Sequence, residues 1–153
     1  MQTVEVPMEE LMKVVRLQLE TAGRANLTVT GCSMLPMLRQ HRDAVILAPL
    51  DRALNPGDIA LFQREDGRYV LHRVIAVTPE NYHFCGDNQA TLETVTQQQV
   101  VAKVTGYLKA GKLRGLNGLG YRIYRWIWVH LFCLRKYYIA LRRRLGCLRR
   151  KLF

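Results

Sequence analysis

The chain has 153 residues, and 49% of them are hydrophobic, which is enough for one packed core and excludes a disordered tail. Its net charge of +11 is unevenly placed: residues 1–93 contain 9 Lys and Arg against all 12 acidic residues, and residues 94–153 contain 14 Lys and Arg and no acidic residue. A basic segment of this kind is attracted to phosphate, so we expect its partner to be a lipid head group or a nucleic acid.

The start of the chain predicts an amphipathic helix. Apolar residues recur at helical spacing from Pro7 to about Glu20, and proline suits the first turn of a helix. Acidic residues come early and no long apolar run follows them, so we expect no signal peptide. We assign residues 1–24 to this N-terminal helix, which would cover one face of the domain that follows.

Residues 25–110 predict a mostly β domain. Short runs rich in β-branched and aromatic residues alternate with Pro, Gly, Asn and Asp; the runs are 27–30, 44–48, 58–62, 68–77, 82–85 and 100–108. The dipeptide Asp66-Gly67 supplies the positive φ that a tight turn needs. The strands on either side of it are therefore predicted to be antiparallel neighbours.

The remainder of the chain predicts a linker and a helix. Residues 111–120 are glycine-rich without a period, which favours a linker. Residues 121–153 lack proline and predict a basic, aromatic helix, whose longest uncharged run of nine residues is far shorter than the ~20 needed to span a bilayer. Its aromatic residues are interleaved with ten Lys and Arg, which favours a peripheral helix on a membrane surface. The alternative is a helix that packs on the β domain and exposes a solvated basic face.

Candidate chemistry begins at the stretch TGCSMLPML, where Ser33 lies in a turn that contains glycine and proline. In the strand YVLHRVIAV, alternation puts His72 among small apolar side chains. Such neighbours disfavour the imidazolium and leave a neutral imidazole that can accept a proton. A core histidine satisfied by a carbonyl group is the alternative interpretation. The four cysteines are scattered without a C-x-x-C pair, so neither a zinc site nor a disulfide framework is indicated, and no cofactor is implied.

Four motifs occur in one order over 58 residues: G-x-S-M-x-P, Pro-Gly-Asp-Ile at 56–59, L-H-R-V-I, and F-C-G-D-N at 84–88. Together they resemble the signal peptidase I superfamily of serine peptidases. The closer similarity is to its endoplasmic-reticulum-type branch, in which histidine replaces the lysine general base of bacterial-type enzymes. The match covers roughly residues 27–106.

The resemblance implies a role for each matched residue. Ser33 falls on the nucleophile and His72 on the general base. The carboxylate that orients the histidine is either Asp87, in the Gly-Asp-Asn box, or Glu93, which stands where these enzymes carry a further aspartate. A turn-forming role for Asp87 and a solvated position for Glu93 are the alternatives.

Besides Glu93 in place of an aspartate, the sequence departs from the family at two further points. Gly31 stands where the family usually has a Ser or Thr that donates to the oxyanion, so a backbone N–H, that of Ser33 first, would have to serve. The N-terminal transmembrane anchor of typical signal peptidases is not apparent, so we expect the C-terminal helix to provide membrane attachment. The motif with glycine is also similar to that of self-cleaving LexA-type repressors, whose peptidase fold is related. Those repressors use a lysine base, and residues 1–24 are too few for their DNA-binding domain.

The sequence therefore predicts a mostly β, signal peptidase/LexA-like fold with an N-terminal amphipathic helix and a C-terminal basic helix. The predicted activity is a serine endopeptidase that cleaves an extended leader or signal-like peptide near a membrane surface. The resemblance implies small residues before the scissile bond. One alternative is a peptide-binding module that kept the peptidase fold without activity. The other is a nucleic-acid-binding protein that uses the basic tail.

Overall fold

The computed structural model describes the backbone of residues 7–151 and the side chains of residues 7–144. Within these residues the protein is mostly β, as predicted, with three α-helices around one antiparallel sheet. The helices are α1 (Met8–Ala22), α2 (Leu119–His130) and α3 (Phe132–Lys151). The strands are β1 (Ala25–Thr28), β2 (Ala44–Ala48), β3 (Ile59–Gln63), β4 (Tyr69–Val77), β5 (Asn81–Cys85), β6 (Glu93–Thr96), β7 (Val100–Lys109) and β8 (Lys112–Gly115).

The sheet has the strand order β1-β2-β7-β3-β4-β5-β6, and β8 pairs with β7. The predicted hairpin is confirmed, because β3 and β4 are antiparallel and Ala60 lies opposite His72. Gly67 has a φ of 85° in the connecting turn, a conformation that costs glycine little.

The core lies on both faces of the central strands. Successive residues of β3 point to opposite faces, so Ile59 packs in the cluster under α1 and Phe62 packs in a second cluster on the other face. Helix α1 contributes Met12, Val15 and Leu19 to the first cluster, which agrees with the spacing read from the sequence. Both faces of β3 are covered, and this explains its continuous apolar run.

Strand β4 changes partners along its length. Residues Tyr69–Arg73 pair with β3, whereas β5 pairs with β4 only from Arg73 onward. Among the described strands, none pairs with the other edge of residues 69–71. A free edge therefore leads directly to His72.

The C-terminal part differs from the predicted linker and single helix. Residues 112–115 form β8, because Ala110 (φ 49°) and Gly111 (φ 78°) make a tight turn that folds the chain back on β7. The predicted helix is divided into α2 and α3 at Leu131. No helix in the described part of the chain is long and apolar enough to cross a membrane.

Candidate active site

Ser33 lies in the loop between β1 and β2, which is anchored by buried apolar side chains. Met34 and Leu38 are fully buried in the core, and the N–H of Leu38 donates to the Met34 carbonyl at 2.9 Å. Ser33 itself is partly exposed and lines a cleft of about 270 Å³. The apolar residues of the motif thus fix a turn that places Ser33 on the wall of the cleft.

His72 lies on β4, buried but lining the same cleft as Ser33. The ring meets the edge of Phe62 at a centroid distance of 6.0 Å. Burial lowers the pKa of His72 to about 4; the Glu93 carboxylate raises it and the Arg64 guanidinium lowers it. The imidazole is therefore neutral at neutral pH, which is the form that accepts a proton.

Gly86 lies where the two candidate residues come together. A β-carbon at this position would be 2.8 Å from the Ser33 carbonyl oxygen and 3.0 Å from His72 Nε2. The N–H of Asn88 donates to that same carbonyl at 2.7 Å. The Gly-Asp-Asn turn therefore holds the Ser33 loop beside the Nε2 side of the histidine. Among the described residues no hydrogen bond joins the Ser33 hydroxyl to His72, and His72 Nδ1 has no hydrogen-bond partner.

The carboxylate beside His72 belongs to Glu93. Glu93 Oε1 lies 3.3 Å from His72 Nδ1, an ion-pair distance, although Nδ1 is buried without a well-aligned hydrogen bond. Arg64 donates to both oxygens of Glu93, at 2.7 and 2.5 Å. The hydrogen bonds from Arg64 lower the pKa of Glu93, so this carboxylate is ionised at neutral pH.

Asp87 has a different environment. It is fully buried and accepts two hydrogen bonds of 2.8 Å from the guanidinium of Arg73, which is also fully buried. Burial lowers the pKa of Arg73, but the charge and hydrogen bonds of Asp87 outweigh this and the net pKa is raised. Tyr124 donates a further hydrogen bond to Asp87 at 2.8 Å. Of the two carboxylates left open by the sequence, Glu93 contacts the histidine and Asp87 neutralises a buried arginine.

The C-terminal helices brace the turn that contains Asp87. The indole N–H of Trp128 donates to the Asp87 carbonyl at 2.9 Å, and Arg135 donates to the Gly86 carbonyl at 3.0 Å. Arg142 reaches the side chain of Asn88 at 3.2 Å. Burial lowers the pKa of Arg135, which is 4% exposed. The basic tail therefore packs against the back of the candidate site through its inner side.

The cleft is open for an extended ligand. Its walls come from α1, from residues just after β1, and from the free edge of β4. Gly31 lies on its rim without a positive φ, and a β-carbon there would contact nothing within 4 Å. In the described residues no group of three side chains could hold a metal ion, and Cys32, Cys85 and Cys133 are free thiols.

Sequence reasoning missed two arginines that shape the site. Arg64 was not singled out because it precedes the turn of a hairpin and meets Glu93 only across 29 residues of chain. Arg73 offered a signal, since an arginine between apolar residues in a strand needs a buried anion. Its partner follows from the strand register, because Arg73 lies opposite Cys85, two residues before Asp87.

A scan against protein-family models finds no family that matches this chain, and a search of the curated proteins finds no matching relative.

Proposed function

We propose that the chain is a serine endopeptidase of the signal peptidase I type, with Ser33 as nucleophile, His72 as general base and Glu93 as the group that orients the base. The observation that carries this proposal is the order of groups around the imidazole. Nδ1 faces the Glu93 carboxylate at 3.3 Å, and Nε2 lies on the side of the Ser33 loop, next to Gly86. A nucleophile, an imidazole and an acid in this order activate a hydroxyl in serine hydrolases of unrelated folds.

The reaction follows from these positions. Ser33 Oγ bonds to the carbonyl carbon of the scissile peptide while its proton passes to His72 Nε2. The C–N bond then breaks, and the proton moves from Nε2 to the leaving amine, which leaves an ester on Ser33. A water molecule gives a proton to Nε2 and its oxygen attacks the ester carbon. The ester bond breaks, the proton returns to Ser33 Oγ and the carboxylic acid leaves.

The charges around His72 favour this order of reaction steps. The neutral imidazole accepts a proton from Ser33, and the ionised Glu93 then faces the imidazolium. The backbone N–H of Ser33 has no acceptor among the described residues, so it is free to donate to the oxyanion. Gly31 has no side chain and supplies no second side-chain donor.

The substrate we propose is an extended peptide. The unpaired edge of Tyr69–Leu71 offers backbone groups to a peptide added as a further strand, and alternate side chains of that peptide would enter the cleft. Apolar residues of the cleft such as Leu27 and Val29 suit small apolar side chains. We further propose a signal peptidase/LexA-like fold. The serine turn before β2, the histidine on β4 and the Gly-Asp-Asn turn after β5 support it.

The test uses the fact that Ser33 is the only serine of the sequence. A fluorogenic library of extended peptides is incubated with the full chain and with the variants Ser33→Ala and His72→Ala. Both variants are expected to lose cleavage; Ser33→Ala should unfold like the parent chain, whereas His72→Ala leaves a cavity at a buried position and should unfold at a lower temperature while remaining folded at the assay temperature. Mass spectrometry should locate any trapped acyl group on Ser33.

Cys32→Ala is the matched control, because it removes an exposed nucleophile next to Ser33. It should keep full cleavage. If Ser33→Ala cleaves as fast as the parent chain, the mechanism is wrong. If the parent chain binds library peptides and never cleaves them, the protein is a peptide-binding module.

A further inference from the structure

Helix α2 is apolar on two opposite sides. The side that packs on the sheet domain carries Tyr121, Tyr124 and Trp128, which contact the buried pair of Arg73 and Asp87. The opposite side carries Leu119, Ile123 and Trp126, which are 72%, 52% and 55% exposed. One apolar side would suffice to hold the helix, so the second requires its own explanation.

Helix α3 likewise has a buried inner side and an exposed apolar outer side. Its inner side carries the buried residues Arg135 and Ile139. Its outer side carries Leu134, Tyr137 and Leu141, which have helical spacing and are 53%, 65% and 58% exposed.

The two outer sides form one continuous surface, which we call the outer face. Ile127 and Leu131 line a small apolar cavity together with Leu134 and Tyr138 of α3. Helix α2 and the end of β4 also enclose a groove of about 720 Å³, which is lined by the exposed side chains of Val77 and Trp126. The exposed apolar area therefore runs from β4 across α2 onto α3.

Positive charge surrounds the outer face. Arg122 lines the groove beside Trp126, and Arg144 follows Leu141 by one helical turn and is exposed. Lys136 stacks on the ring of Tyr137, with its ammonium 5.1 Å from the centroid. Residues 94–153 contain no acidic side chain, so nothing on these helices repels an anion.

We propose that the outer face docks the protein on the surface of an anionic phospholipid membrane, with α2 and α3 in the interfacial region. Aromatic and aliphatic side chains would enter the boundary between head groups and acyl chains, and the basic residues would meet lipid phosphates. The mixture of Leu and Ile with Trp and Tyr favours lipid over nucleic acid, because single strands bind by stacking on aromatic rings and make little use of aliphatic side chains. The proposal does not depend on peptidase activity.

The experiment is co-sedimentation of the full chain with two kinds of vesicle, pure phosphatidylcholine and phosphatidylcholine mixed with phosphatidylglycerol. We expect stronger binding to the anionic vesicles and a partial loss of binding as salt is raised. Trp126→Ser should weaken binding about tenfold by removing an interfacial ring. The double variant Arg122→Gln, Arg144→Gln should weaken binding to anionic vesicles about 25-fold, since each basic residue near the surface is worth about fivefold.

Leu17→Ser is the matched control, because Leu17 is an equally exposed apolar residue on α1, and it should bind like the parent chain. Ser33→Ala should also bind normally, so a failure of the peptidase proposal leaves this test intact. Thermal unfolding of each variant checks that the fold persists. The proposal is wrong if the folded parent chain ignores both vesicles, or if Trp126→Ser and Leu17→Ser bind equally well. Vesicle-independent binding to single-stranded nucleic acid, or self-association abolished by Trp126→Ser without vesicle binding, would also overturn it.

Discussion

His72 Nδ1 lies 3.3 Å from Oε1 of Glu93, and Arg64 donates to both oxygens of the same carboxylate. Burial lowers the pKa of the histidine, the carboxylate raises it and the guanidinium lowers it. Burial and the guanidinium outweigh the carboxylate, so the imidazole stays neutral beside a negative charge. The pKa of His72 should therefore shift in opposite directions when Arg64 or Glu93 is substituted.

The first prediction concerns that pKa. An NMR titration of the His72 ring should give a value of about 4, far below that of an exposed histidine. Arg64→Gln should raise the pKa, because it removes a positive charge, and Glu93→Gln should lower it further, because it removes a negative one. His72→Gln identifies the resonance. Shifts in the same direction for the two variants would contradict the arrangement described here.

The second prediction is a loss of stability as the solution becomes acidic. The pKa of His72 falls from 6.5 to about 4 on folding, so the folded protein binds fewer protons between these values. The contribution of His72 to the free energy of unfolding is fully present above pH 6.5. It declines as the pH falls toward 4 and changes no further at lower pH. Urea unfolding at several pH values should show a decline attributable to His72 on the order of 3 kcal/mol.

His72→Gln provides the comparison, because it removes this titrating group while other groups still titrate. The pH dependence of its unfolding free energy should be shallower than that of the parent chain over this window. Parallel curves for the two proteins would mean that the buried histidine does not lose its proton on folding.

The third prediction separates the two carboxylates. Asp87→Asn leaves the charge of Arg73 buried without its anion and should cost about 3–5 kcal/mol of unfolding free energy. Glu93→Gln involves partly exposed groups and should change stability by less than about 1 kcal/mol. It should reduce peptide cleavage on the order of 10²-fold or more, because the imidazole loses its orienting anion. An Asp87→Asn variant with normal stability would contradict the structural role of Asp87. A Glu93→Gln variant with normal cleavage would contradict the orienting role of Glu93.

Much of the fold could be predicted from the sequence because local signals agreed with it. The spacing in α1, the β-branched runs and the Asp66-Gly67 turn each depend on neighbours in the chain. Residues 112–115 were misinterpreted because glycine is typical of linkers and also of tight turns. Only the pairing with β7 shows that Gly111 completes a hairpin.

The candidate site could be predicted only in part, because contacts between distant segments decide it. The motifs predicted that Ser33 and His72 belong together, but they left Asp87 and Glu93 as equal choices. In the folded protein Asp87 pairs with the buried Arg73, whereas Glu93 pairs with Arg64. The burial of the first pair depends on the aromatic side of α2. The tail aromatics illustrate this point: Tyr124 and Trp128 pack inward on the site, whereas Trp126 points outward.

The fourth prediction concerns Gly31. A β-carbon at this position meets no atom within 4 Å and its φ is not positive, so Gly31→Ser should fold like the parent chain. The added hydroxyl stands where the peptidases that the sequence motifs resemble supply an oxyanion donor, so under the proposed mechanism cleavage should become faster, by up to about 10²-fold. Gly31→Ala tests whether the hydroxyl is responsible, since it changes the backbone in the same way without a donor. Equal rates for the serine and alanine variants would show that the loop does not aim this side chain at the oxyanion.

The last prediction tests whether the C-terminal helices support the candidate site. Trp128 donates to the Asp87 carbonyl, and the adjacent Asn88 N–H holds the Ser33 carbonyl at 2.7 Å. Trp128→Phe keeps an aromatic ring against Tyr124 but removes this donor, which should cost about 1 kcal/mol locally and make the Asn88 amide exchange about fivefold faster.

Peptide cleavage by Trp128→Phe should fall with the faster exchange, because a looser turn holds the Ser33 loop less firmly beside His72. Trp126→Phe is the matched control, since Trp126 is the exposed tryptophan of the same helix and donates nothing to this turn in the described structure. It should leave both the exchange rate and the cleavage rate unchanged. If the two variants behave alike, α2 merely covers the domain. If only Trp128→Phe loosens Asn88, the helix that carries the outer face on one side also positions the nucleophile loop on the other.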